Sequence, residues 1–135
     1  MSNVIDIKSF LVENTPETKE IKLERFEAPF VLESISEKEN DNLKKASTSK
    51  RISKSGNRVS DLNTDQYIDN LLARSVIVPD LQNSQLQEFF KTPGDAAGTL
   101  KAMLRAGEFI QLQKAVMELN GFDEDDEEIK DEVKN

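Results

Sequence analysis

The acidic run Asp123–Glu128 is the densest group of ligand-type side chains in the sequence. Clustered carboxylates are what a hard cation such as Ca²⁺ takes. The run lacks the glycine and the ligand spacing of an EF-hand, so a solvated acidic segment is the better reading. A second candidate is "TPGDAAG", residues 92–98, whose glycines suggest a phosphate cradle. It has no lysine at P-loop spacing and follows no convincing strand, which leaves a helix cap. The third is "KKASTSKRISKSGNR", residues 44–58, with six basic residues and no acidic one. Such a run could hold phosphates. It carries no aromatic residue for stacking on bases, and the chain as a whole has a formal net charge of −8.

The residue types that are absent exclude more chemistry. With no cysteine and no histidine, there can be no disulfide, no Cys or His metal site, no thiol nucleophile and no His-based triad. No pair of side chains makes a catalytic constellation, so the expectation is a binding or structural protein with no cofactor, not an enzyme. No apolar run approaches a membrane span, and "MSNVIDIKSFLVENT" lacks the basic and long apolar segments of a secretory signal. The sequence reads as soluble and intracellular, and the missing cysteines fit a reducing compartment.

The elements that would position a site follow from apolar spacing. Ser2 or Asn3 could cap a short helix over Val4–Glu13, and "NTPET" would end it. In "KEIKLERFEAPFVLESIS" the period changes, which suggests two strands and a hairpin turning at Glu27–Pro29. A polar helix starts near Ser36, with Ser36 and Glu39 as a capping box. Residues 44–58 hold only Ile52 as a large apolar residue. That is too little to offset ordering entropy, so they are expected as a mobile loop. A helix from Asn63 or Thr64 aligns Tyr67, Ile68, Leu71, Leu72 and Val76, and Pro79 ends it by restricting Val78. Ser84 and Gln87 have capping-box spacing. Thr92-Pro93 reads as a helix start with Asp95 near the positive dipole end, running to about Arg105. Gly107 closes that helix, Glu108 opens the last one, and Gly121 stops it.

The fold class is therefore α+β: a mostly helical small domain over residues 1–122, with an N-terminal β-hairpin and the basic loop 44–58 within it. Residues 123–135 follow as an acidic tail, with eight acids and two lysines, expected to be disordered. Two places in this layout carry more apolar surface than one core needs. In the last helix Phe109, Leu112, Ala115, Val116 and Leu119 form one stripe, while Ile110 and Met117 lie largely outside it. Phe89 and Phe90 are adjacent and point about 100° apart on a helix, so both need not face one core. Ile110 and Met117 either pack under the hairpin or line a groove for an amphipathic partner helix, and Phe89 and Phe90 pose the same question of core against groove.

"YIDNLLARSVIVPDLQNSQLQEFF" and "AGTLKAMLRAGEFIQLQKAVMELNGF" together resemble the XkdN-like tail assembly chaperones of phages and prophages of Gram-positive bacteria. The pattern is a helix entering a Val-x-Pro-Asp-Leu turn, a short Leu-Gln-rich helix, a Leu-rich helix, then Gly-Glu, a helix and Leu-Asn-Gly-Phe. It covers residues 67–122, and more loosely "IKLERFEAPFVLESI" and the basic loop. That family usually carries Pro or Leu where Ala106 stands. The resemblance implies a chaperone that holds the tape-measure protein until tail-tube subunits polymerise around it and that is absent from the finished virion. It also implies a programmed frameshift that gives a minority of chains an added domain able to recruit tube subunits. On this reading Phe89, Phe90, Ile110 and Met117 line the partner-binding grooves, copies array along the target, and membrane and nucleic acid are not partners. The alternative is a small nucleic-acid-associated protein using the basic loop 44–58.

Overall fold

The computed structural model describes residues 4–122. The candidate caps Ser2 and Asn3 and the acidic segment 123–135 lie outside the described residues. The hairpin expected from the change of period is present, with strands Thr18–Ile21 (β1) and Phe30–Glu33 (β2) paired antiparallel from Thr18↔Glu33 to Ile21↔Phe30. Alternation decides which face of β2 is buried: Phe30 and Leu32 are in the core, while Val31 and Glu33 are half-exposed. A third strand, Val76–Val78 (β5), pairs antiparallel with the other edge of β2. The sequence reading ended the second long helix near here but did not see a strand. The β-branched run Val76-Ile77-Val78 suits one, and Pro79 closes it.

Among the described residues there are five α-helices, of which the second and the fifth pack on this sheet. The first, Glu37–Ala46 (α1), starts at the expected cap, with the Ser36 hydroxyl accepting from the Glu39 amide at 3.2 Å, but the Glu39 carboxylate accepts from Arg74 and the capping box is only half made. The second, Thr64–Ser75 (α2), is capped by Asn63, whose side chain accepts from the Gln66 amide at 3.0 Å. It packs on α1, on β5 and on the two last helices, Ala96–Met103 (α4) and Ala106–Leu119 (α5). Its Leu71 and Leu72 are fully buried, alongside Phe30, Leu32, Leu100, Leu112 and Val116 from the other elements. The Tyr67 hydroxyl donates to the buried Asn40 carboxamide, fixing α2 to α1.

Several boundaries differ from the sequence reading. The short helix Ser84–Phe89 (α3) is capped by Asn83, not Ser84: its side chain accepts from the Leu86 amide at 3.1 Å. α4 starts after Asp95, which is itself the cap and accepts from the Gly98 amide at 2.9 Å, so Pro93 precedes the helix. α4 also ends at Met103, short of Arg105. Gly107 lies inside the first turn of α5 and does not form the turn before it. The Glu108 carboxylate reaches back to accept from the Arg105 amide at 2.7 Å, which lets the helix begin at Ala106. The far end follows the expectation. Gly121 has φ +80°, its amide donates to the Glu118 carbonyl at 3.1 Å, and that of Phe122 donates to Met117 at 2.8 Å. This is the left-handed stop that glycine favours.

Two larger corrections concern surface segments. Lys44–Arg58, expected as a mobile loop, holds the end of α1 and most of a second hairpin, Thr48–Ile52 (β3) with Arg58–Leu62 (β4). The pairing comes from backbone hydrogen bonds and a turn through Gly56 at φ +86°. The lack of apolar residues therefore did not prevent it. The segment expected as helix Val4–Glu13 has only a single 3₁₀ turn, Ile7–Phe10. A helix this short gains little unless a surface buries its apolar side, and here Ile7, Phe10, Leu11 and Val12 are all exposed.

Candidate partner-binding surface

α3 is a short helix held at both ends. Asn83 caps its start, and the buried Gln87 side chain clamps the chain on either side. Its amide donates to the Leu81 carbonyl at 2.8 Å, and its oxygen accepts from the Gly94 amide at 2.9 Å. This clamp ties α3 to the chain before and after it, and two phenylalanines follow at its end. Phe90 turns inward and packs against the core, whereas Phe89 is 76% exposed. Their rings meet edge to face, 4.8 Å between centroids. Beside Phe89 lies an open groove of about 350 Å³, lined by Pro79, Asp80, Asn83, Gln85, Leu86 and Phe89.

Pro79 also borders a second cleft, of about 180 Å³, with Phe26, Pro29, Phe30, Val78 and Met103 among its walls. The loop that forms this wall is pinned. The Arg25 guanidinium donates to both Glu108 carboxylate oxygens, at 2.9 and 2.6 Å, and to the Met103 carbonyl at 2.9 Å. It also lies over the Phe26 ring, 4.8 Å from the centroid, and Phe26 meets Phe30 edge to face. The Arg25 hydrogen bonds, then the Arg105 amide, hold the Glu108 carboxyl well below its usual range, at about 2. An apolar strip thus runs from Phe26 past the exposed Val78 and the half-buried Pro79 to Leu86 and Phe89.

The four residues singled out from the sequence are divided by the structure. Phe89 and Ile110 are exposed, Ile110 at 64%. Phe90 and Met117 are partly buried against the core. Ile110 and Met117 sit on α5, which packs on α2 and the β1–β2 hairpin, while α3 packs on α4. The groove beside Phe89 takes no residue from α5. Sequence reasoning missed Phe26, Val78, Pro79 and Leu86. The signal for the middle two was the β-branched run into Pro79.

A family model described as phage XkdN-like tail assembly chaperone protein matches residues 7–134. The chain belongs to the XkdN-like tail assembly chaperone family. It is 30% identical to phage-like element PBSX protein XkdN of Bacillus subtilis strain 168, covering 98% of this chain and 96% of that one. It is 25% identical to protein YqbN of the same strain, covering 98% and 95%. The crystal structure of YqbN shares the fold, with a TM-score of 0.71 and 21% identity over 89% of this chain and 99% of that one. The protein is thus a phage tail assembly chaperone. Among the described residues, no helix is long and apolar enough to cross a membrane.

Proposed function

We propose that this chaperone holds the tape-measure protein soluble in the host cytoplasm until tail-tube subunits polymerise around it, and that it acts by binding, without catalysis. The observation that carries this reading is the apolar surface left outside the core. Phe89, Ile110, Ile77 and Val78 are exposed on the body, and Ile7, Phe10, Leu11 and Val12 on the N-terminal segment. The grooves that share Pro79 gather Phe26, Val78, Leu86 and Phe89 in one region, and contiguous exposed apolar patches mark interaction sites. A long helical client with apolar stripes would aggregate if left bare. Shallow grooves such as the one beside Phe89 take such stripes one anchor at a time.

Each contact of this kind is weak, which allows release when tube subunits compete. Many copies along one client raise the total strength without any new contact. The finished virion would then lack the chaperone. A minority of chains extended by ribosome slippage at an A-rich stretch encoding Lys134-Asn135 could bring tube subunits to the loaded client. The nucleotide sequence there tests that step: without a slippery run and an overlapping reading frame, it fails. The main reading is tested by co-elution of the purified chaperone with a tape-measure fragment from the same phage. Co-elution that Phe89→Asp or Ile110→Asp weakens supports it. Co-elution indifferent to both removes the surface described here.

A further inference from the structure

The N-terminal arm ahead of β1 carries an apolar stretch that its own chain leaves uncovered. Ile5, Ile7, Phe10, Leu11 and Val12 are each two-thirds exposed or more. In the 3₁₀ turn Ile7–Phe10 residues three apart line up, so Ile7 and Phe10 share one side. Side chains of this kind and density normally belong to a core or an interface.

The sheet sets this arm and the apolar strip at opposite corners. Glu17, where the arm meets β1, is tied to Ser34 just past the end of β2. Its amide donates to the Ser34 hydroxyl at 2.8 Å, and its carbonyl accepts from the Ser34 amide at 2.8 Å. The strip lies toward the other end of β2, beside Phe30. It also lies along the other edge of the sheet, where Val78 pairs with Val31 and Pro79 follows. We propose that the N-terminal arm of one copy docks in the Pro79–Phe89 strip of a second copy, so that copies associate head to tail.

The two surfaces match in chemistry. The groove beside Phe89 has one charged residue among its walls, Asp80, and Lys8 stands between Ile7 and Phe10 on the arm. The contact joins two different surfaces, so each pair still offers a free arm at one end and a free strip at the other. Such a contact repeats into a ring or an open filament and does not stop at two. The arm is short against the roughly 20–30 residues a side of a standard interface, which makes each contact weak and dependent on concentration. The arm also presents what an apolar client stripe presents. It therefore covers the strip in the free protein and gives way to a client, and only this last step rests on the function proposed above.

Sedimentation velocity of the full chain without any client tests the association by itself, so its failure is distinct from a failure to bind tape-measure protein. Between about 10 μM and 1 mM, the range of weak association, the mean mass should rise past that of a dimer. Phe10→Asp lacks the arm anchor and Phe89→Asp lacks the strip anchor, and each alone should stay monomeric. Their equimolar mixture should form the dimer and go no further, because one supplies the strip and the other the arm. Ile110→Asp changes an exposed apolar residue outside the strip and should associate as the parent does. Phe10 is exposed and outside the core, so Phe10→Asp keeps the test decisive should Phe89→Asp lose its fold by its own melt. A parent that stays monomeric, a parent that stops at the dimer, Phe10→Asp that associates as the parent does, a mixture of two folded variants that stays monomeric, or Ile110→Asp that fails to associate would each overturn the proposal.

Discussion

Truncating the two adjacent phenylalanines should separate folding from partner binding. Phe89 is 76% exposed, so about a quarter of a roughly 200 Å² side chain is covered. At about 25 cal/mol per Å² that burial is worth about 1 kcal/mol. Losing the edge-to-face contact with Phe90 adds at most about another 1 kcal/mol. Phe90 packs on the core, and its truncation belongs at the lower end of the roughly 3–5 kcal/mol known for buried phenylalanines. In a chain of this size each kcal/mol moves the melting temperature by about 3–6 °C. Phe89→Ala should therefore melt about 5 °C below the parent and Phe90→Ala about 10 °C or more below it. Affinity for a tape-measure fragment should respond more to Phe89→Ala, by about 30-fold, because an exposed aromatic anchor is worth roughly 2 kcal/mol to an interface. Thermal melts by circular dichroism and titration calorimetry supply both numbers. The reasoning is refuted if Phe89→Ala melts as low as Phe90→Ala, or if it leaves the affinity unchanged.

Acid titration should expose the Arg25–Glu108 link. Folding lowers the Glu108 carboxyl from an ordinary 4.5 to about 2, so the stability it contributes is complete above pH 4.5 and lost as pH falls toward 2. Glu108→Gln should flatten the acid dependence of stability in that window relative to the parent, and an unchanged slope in denaturant melts would contradict this. Gln87→Leu should cost about 1–3 kcal/mol, because the Leu81 carbonyl and Gly94 amide lose their partner. Chemical denaturation showing no loss would mean that the clamp does not hold α3.

Where the fold was legible in the sequence, one strong local signal agreed with the core. The change of period marked the β1–β2 hairpin, the Tyr67–Leu72 spacing marked α2, and Gly121 marked the end of α5. The misses came from competition between neighbouring candidates or from pairing that composition does not report. Asn83 and Ser84 are adjacent residues of good cap type, and Asn83 takes the position. The β3–β4 hairpin rests on backbone pairing, a cross-strand Arg51–Asp61 ion pair and a Ser-Gly-Asn turn, and a reading based on its low apolar content overlooked it. The candidate surface was legible only in part. The 100° offset between Phe89 and Phe90 predicts that they diverge. Which of them turns outward depends on how α3 sits against the core, where Phe90 packs and Phe89 does not.

The most direct measurement is the fraction of the tape-measure protein that stays in the supernatant when both proteins are made in one cell. The account predicts that the tape-measure protein alone sediments and that the chaperone moves it into the supernatant. It also predicts that Phe89→Asp, while folded by its own melt, returns most of it to the pellet. A tape-measure protein that sediments equally with and without the parent chaperone would contradict the claim that this chain holds it soluble.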